Sequence, residues 1–205
     1  MFHPRPLWSF PSRAAVLVAA LVSTLPAADN VRIDLLAKDA DLVDVAIITG
    51  KGTMKESSWL GEARKKQGRA LSFAIPKSTW TKITLSASVS ASADVELTLR
   101  GPDKRLAAGS PRIPVLVTYD DVAVRGADIK NGGFEAVNSK GYPEDWVFTR
   151  DEQGLAKVVS QGAWEAARAM VVWHDGRVSQ NLRLSVGTPA TISFYAYSEV
   201  DPEAP

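Results

Sequence analysis

The chain contains no cysteine. Disulfides, thiolate chemistry and thiolate-bound zinc are therefore excluded. It has two histidines, His3 and His174, too few for a histidine-rich metal centre within one chain. A G-x-S-x-G nucleophile elbow and a glycine-rich phosphate loop are both missing. Helix-period apolar stretches are also missing, apart from one turn's worth at residues 164–169. Charge of one sign is lacking too. Lys and Arg number 24 against 23 Asp and Glu, which argues against nucleic acid or an anionic membrane as the main partner.

What is there is a folded β protein. Hydrophobic residues make up 45% of the 205 positions, enough for a sizeable core. Residues 1–28 read as a secretory signal peptide. Arg5 and Arg13 give a basic start, Ala14–Leu25 an apolar middle too short to span a bilayer comfortably, and Leu25-Pro-Ala-Ala28 small residues for cleavage. Its removal leaves 22 basic against 23 acidic side chains. The expected location is secreted, periplasmic or cell-surface, with no membrane insertion after cleavage.

Runs rich in β-branched residues then follow one another. They are predicted at 31–37, 43–48, 69–75, 79–89, 94–99, 115–124, 157–160, 169–174, 177–184 and 190–197. Thr81-Lys-Ile-Thr-Leu-Ser-Ala-Ser-Val89 alternates at period two, as a half-buried strand should. Lys51–Gly68 reads as a long polar connection carrying Trp59 and the solvated run Arg64-Lys-Lys66. Residues 174–176, His-Asp-Gly, read as a hairpin end. The class is all-β, a sandwich of two antiparallel sheets.

The stretch from Tyr119 to Trp146 is the seam of the chain. Val115–Val124 is strand-like but carries two adjacent acids, Asp120 and Asp121. Acids are rare in strands. In one reading, one acid faces solvent and the other meets a backbone donor at a bulge. In the other, the pair binds a hard cation together with Glu135, and Gly132 and Gly133 allow carbonyls to turn inward.

The ordered set Asn131-Gly-Gly-Phe-Glu135, Gly141-Tyr-Pro143, Trp146, Val178-Ser-Gln180 and Thr191-Ile-Ser-Phe-Tyr-Ala196 resembles the first half of a CenC-type carbohydrate-binding module of the family 4 and 9 kind. Trp80, Val95-Glu-Leu-Thr-Leu-Arg-Gly101 and Asp120-Asp121 resemble its second half. The resemblance implies a galactose-binding-domain-like jelly-roll, an opening strand at 131–135, glycan binding and a structural calcium. Carried over, the calcium ligands are Asp121 and Glu135, with Asp120 after them. The halves stand in reverse order. Either residues 29–205 form one permuted sandwich joined at Gly126–Lys130, with 31–38 beside 190–197, or a 29–128 module precedes a partial one at 129–205.

Sugar rings present C–H faces that stack on aromatic planes. The aromatic candidates are Trp59, Trp80, Trp146, Trp164, Trp173, Tyr195 and Tyr197. Trp80, Trp146 and Phe134 are expected to fill the core. Tyr195 and Tyr197 share one strand face, and Trp173 beside them would complete a binding strip served by Arg168 and Gln180. No catalytic residue is assigned, because 23 acids offer no identifiable pair for glycoside hydrolysis. The expectation is a non-catalytic module binding polysaccharide, alone or in a larger glycan-degrading system. The alternatives are an adhesion module of the envelope without a sugar site, or an accessory fragment of a glycoside hydrolase.

Overall fold

Period-two alternation marks the long strands, most clearly Thr81–Val89 and Ala190–Tyr197, in the computed structural model, which describes residues 29–56 and 66–202. The signal-peptide expectation, Trp59, Arg64 and Lys65 lie outside those residues. In chain order the strands are β1 (Val31–Lys38), β2 (Leu42–Thr49), β3 (Gly52–Glu56), β4 (Lys66–Phe73), β5 (Thr81–Val89), β6 (Ala93–Arg100) and β7 (Lys104–Arg105). Then come β8 (Arg112–Ile113), β9 (Val117–Arg125), β10 (Val147–Thr149), β11 (Lys157–Val159), β12 (Ala169–Val172), β13 (Arg177–Leu184) and β14 (Ala190–Tyr197). The first sheet runs β10-β13-β6-β1-β4-β3 and the second β11-β12-β9-β14-β5-β2. All pairings are antiparallel. The expected β-sandwich is observed.

The core follows from side-chain parity. Val31, Ile33, Leu35 and Ala37 point inward from β1, while Ile192, Phe194 and Ala196 answer from β14. Phe194 packs edge-on against Phe73 across the sandwich, ring centres 6.3 Å apart. Strands from both sides of the seam enter both sheets and one hydrophobic cluster. The two segments expected side by side in one core share that core but do not pair with each other. β1 pairs with β4 and β6, whereas β14 pairs with β5 and β9 in the other sheet.

Tyr119 ties the sheets together. From β9 its buried hydroxyl reaches the carbonyl oxygens of Arg32 (2.7 Å) and Arg100 (3.0 Å) in the opposite sheet. Burial pushes the phenol pKa far above its ordinary value. Tyr119→Phe keeps the ring and removes the bond. It is expected to lose about 1–2 kcal/mol in urea unfolding.

Three local expectations are corrected. The polar connection at 51–68 contains β3 and the start of β4. Asn131–Glu135 is a turn, not a strand. Asn131 and Phe134 take positive φ, and the Asn131 side chain bonds Ala136 N and O and Glu144 O. His174–Gly176 is not a hairpin end within one sheet, because it carries the chain from β12 in one sheet to β13 in the other. That crossing is tight: a Cβ on Gly176 would lie 2.4 Å from Asp151 Oδ2.

Candidate functional site

The paired acids sit at a β-bulge. Between β9 and β14 the register slips by one residue, from Ser193 opposite Ala123 to Tyr195 opposite Asp120. Asp121 absorbs the extra residue with φ of 46°, a conformation that aspartate tolerates better than most residues. The slip switches parity. Val117 and Tyr119 face inward before it, Val122 after it. Without the bulge, Val122 would face outward.

Asp120 is thereby aimed at the loop between β11 and β12. Its Oδ2 accepts N–H bonds from Trp164 (2.8 Å) and Glu165 (2.9 Å), and its Oδ1 accepts that of Asp121 (2.7 Å). Glu135 Oε1 takes the next two free amides of the loop, Ala167 (3.0 Å) and Arg168 (2.7 Å). The Arg168 guanidinium bonds back to the Glu135 carbonyl oxygen. Asp120 and Glu135 both flank Gly133, each with an atom 3.9 Å from where a Cβ would stand. Gly132 is pressed against β9: its carbonyl accepts Val122 N–H at 3.0 Å, and a Cβ there would lie 1.9 Å from Val122 O. Burial raises the Asp120 pKa, while the amides of Glu165, Asp121 and Trp164 pull it down.

This arrangement bears on the expected calcium. The ion takes roughly six to eight oxygen ligands. Here the Asp120 and Glu135 oxygens face loop amides, and a guanidinium occupies the adjacent carbonyl. Asp121, the first calcium ligand expected from sequence, makes no side-chain hydrogen bond among the described residues. As placed, the donor set clamps the amides of the loop.

The clamped loop delivers an aromatic surface. Trp164, 46% exposed, lies flat on Tyr195 with ring centres 4.2 Å apart and planes at 16°. Tyr195 stands between Asp120 and Lys82 on the outer face of the second sheet, and the Lys82 ammonium sits 5.4 Å from its ring centre. Trp80 joins from the segment before β5, 6.4 Å from Trp164 and 5.5 Å from Tyr197. The Tyr197 hydroxyl donates to Glu199, which also accepts from Ser78 at 2.7 Å. That carboxylate holds the phenol proton on and raises its pKa. Below the rings, the same face of β14 and β5 is carpeted with hydroxyls. Ser193 pairs with Thr84, and Thr191 with Ser86.

The sequence placed Tyr195 and Tyr197 on one face, and they share it. Trp173 does not join them. It is 2% exposed and belongs to the core, because its backbone is wedged against Gly101 as the chain crosses between sheets. Arg168 serves Glu135. Gln180 bonds Lys130 N and O and Asp145 O, beside an open polar cleft of about 860 Å³ on the other sheet. Trp146 and Phe134 fill the core as expected, rings 5.2 Å apart. Trp80 was expected there and stands on the strip instead. Trp164 was one aromatic among seven, and only its loop clamp singles it out. No family model matches the chain, and no curated protein and no solved structure matches it.

Proposed function

We propose that this chain is a secreted, non-catalytic β-sandwich that binds polysaccharide on the outer face of its second sheet. The observation that carries the reading is Trp164, exposed yet held flat on Tyr195 by the Asp120 clamp. A large apolar ring kept in solvent at a fixed angle is suited to the C–H face of a sugar. Trp80 and Trp164 open at 56° to each other, which gives a ring two surfaces to meet. The Ser and Thr hydroxyls of β5 and β14 lie further along the same face and can hydrogen-bond sugar hydroxyls. Because the Tyr197 hydroxyl is tied to Glu199 and the Trp164 ring lies flat on Tyr195, little side-chain freedom remains to be lost on binding.

Affinity electrophoresis against a panel of soluble glycans tests the proposal. At least one glycan is expected to retard the protein. Trp164→Ala is expected to weaken that retardation by about tenfold or more with an unchanged circular dichroism spectrum. Trp173→Phe, a change inside the core, is expected to leave the retardation intact. Equal mobility in every glycan would leave the adhesion-module reading in its place.

A further inference from the structure

Three arginines stand in one row across neighbouring strands of the first sheet. Arg32 of β1 is directly opposite Arg100 of β6. On the other side of β6, Val178 faces Leu99, so Arg177 of β13 comes next to Arg100. Parity turns all three away from the core, onto the face opposite the aromatic strip. Like charges directly opposite each other on a sheet are destabilising, so the row requires counter-charges.

The acids present leave it short. Asp34 serves both Arg32 (2.9 Å) and Arg100 (3.1 Å). A fourth arginine, Arg112 of the β7–β8 ribbon, closes over the row and is held by Asp103 (2.9 Å) and Asp175 (3.1 Å). The Arg177 side chain has no ion pair and no hydrogen bond among the described residues. Together these groups line a cleft of about 370 Å³.

Two residues that line this cleft also carry buried donors without a partner. Arg100 and His174 are each only 7% exposed. Arg100 Nη2 lies 3.0 Å from His174 Nε2. A guanidinium can only donate, so Nε2 accepts and the imidazole proton sits on Nδ1. Arg100 Nε–H and His174 Nδ1–H then have no partner. Buried donors without acceptors are uncommon and costly. We infer that the cleft under Arg112 is an anion site, in which Arg177 and the Arg32–Arg100 row receive an oxyanion group: a sulfate, phosphate or carboxylate, free or carried on an acidic glycan. Guanidinium forks match the paired oxygens of such groups.

The site shares no residue with the aromatic strip, so the two can fail separately. Thermal unfolding is followed in sodium sulfate and in sodium chloride at equal ionic strength. Sulfate is expected to raise Tm by about 5 °C over chloride at saturation. Arg177→Gln is expected to weaken the sulfate effect about tenfold or more and to leave Tm in chloride nearly unchanged, because Arg177 holds nothing in place. Trp164→Ala is expected to keep the full sulfate effect. A second arm compares galacturonate with polygalacturonate by calorimetry. Tighter binding of the polymer, lost in Arg177→Gln, assigns the oxyanion to an acidic glycan, and equal or weaker binding assigns it to a free ion. Identical Tm in sulfate and chloride, or an undiminished sulfate effect in Arg177→Gln, would overturn the inference.

Discussion

Asp120→Ala is expected to cost about 3 kcal/mol or more and to abolish glycan binding along with the stability. One side chain accepts the amide hydrogens of Asp121, Trp164 and Glu165. Each amide left without an acceptor costs roughly 1–3 kcal/mol where it stays buried, and less where water reaches it. The loop at 164–168 would keep only its Glu135 end, and Trp164 would leave the Tyr195 ring. Urea unfolding gives the first effect, and acrylamide quenching of tryptophan fluorescence gives the second. Asp121→Gly provides the contrast. Residue 121 contributes a positive φ rather than a carboxylate bond, so glycine there is expected to be neutral or mildly stabilising. A cation site built on Asp121 would instead fail completely with that change. Addition of a chelator is expected to leave Tm unchanged, because a bound ion would have to stabilise the native state.

Acid is expected to weaken the fold by several kcal/mol through His174 alone. Burial, and then the neighbouring Arg100 charge, press its pKa from 6.5 down to about 3. The folded protein therefore keeps the imidazole neutral while the unfolded chain takes up a proton. A base with a depressed pKa contributes its full stability above the unfolded value, here about pH 6.5, and loses it progressively as pH falls towards 3. A tenfold difference in proton affinity between the folded and unfolded chain corresponds to about 1.4 kcal/mol. Urea midpoints measured from pH 7 to pH 3.5 test this. The wild type is expected to lose stability steeply, and His174→Gln, which keeps an acceptor for Arg100 without a titrating ring, more gently. Parallel pH profiles for the two proteins would refute the assignment.

The strands were legible because alternation is local. Arg177–Leu184 and Ala190–Tyr197 stand where the periodicity puts them. β3, β7, β8 and β10 were not legible. They run five residues or fewer, too short for a period-two alternation to show. The Asp120–Asp121 pair announced that something unusual happens in β9. The sequence could not choose between a bulge and a cation, since that depends on which backbone amides arrive from 164–168. Trp173 shows the opposite limit. It follows β12, whose residues are all buried, and its backbone is wedged against Gly101, so it lies inside rather than on the strip. The arginine row could not be read at all, because Arg32, Arg100 and Arg177 are brought together only by the register of three strands.

The position of β14 has a consequence for how the molecule is made. It follows every other strand described, and it lies between β9 and β5. Until Ala190–Tyr197 has emerged from the ribosome, those two have nothing to bond to across the gap, and the second layer exists only as separate ribbons. Completion of the second sheet must therefore wait until that segment has been synthesised. Such late, long-range closure is slow, and the exposed ribbon edges favour misassembly in the interval.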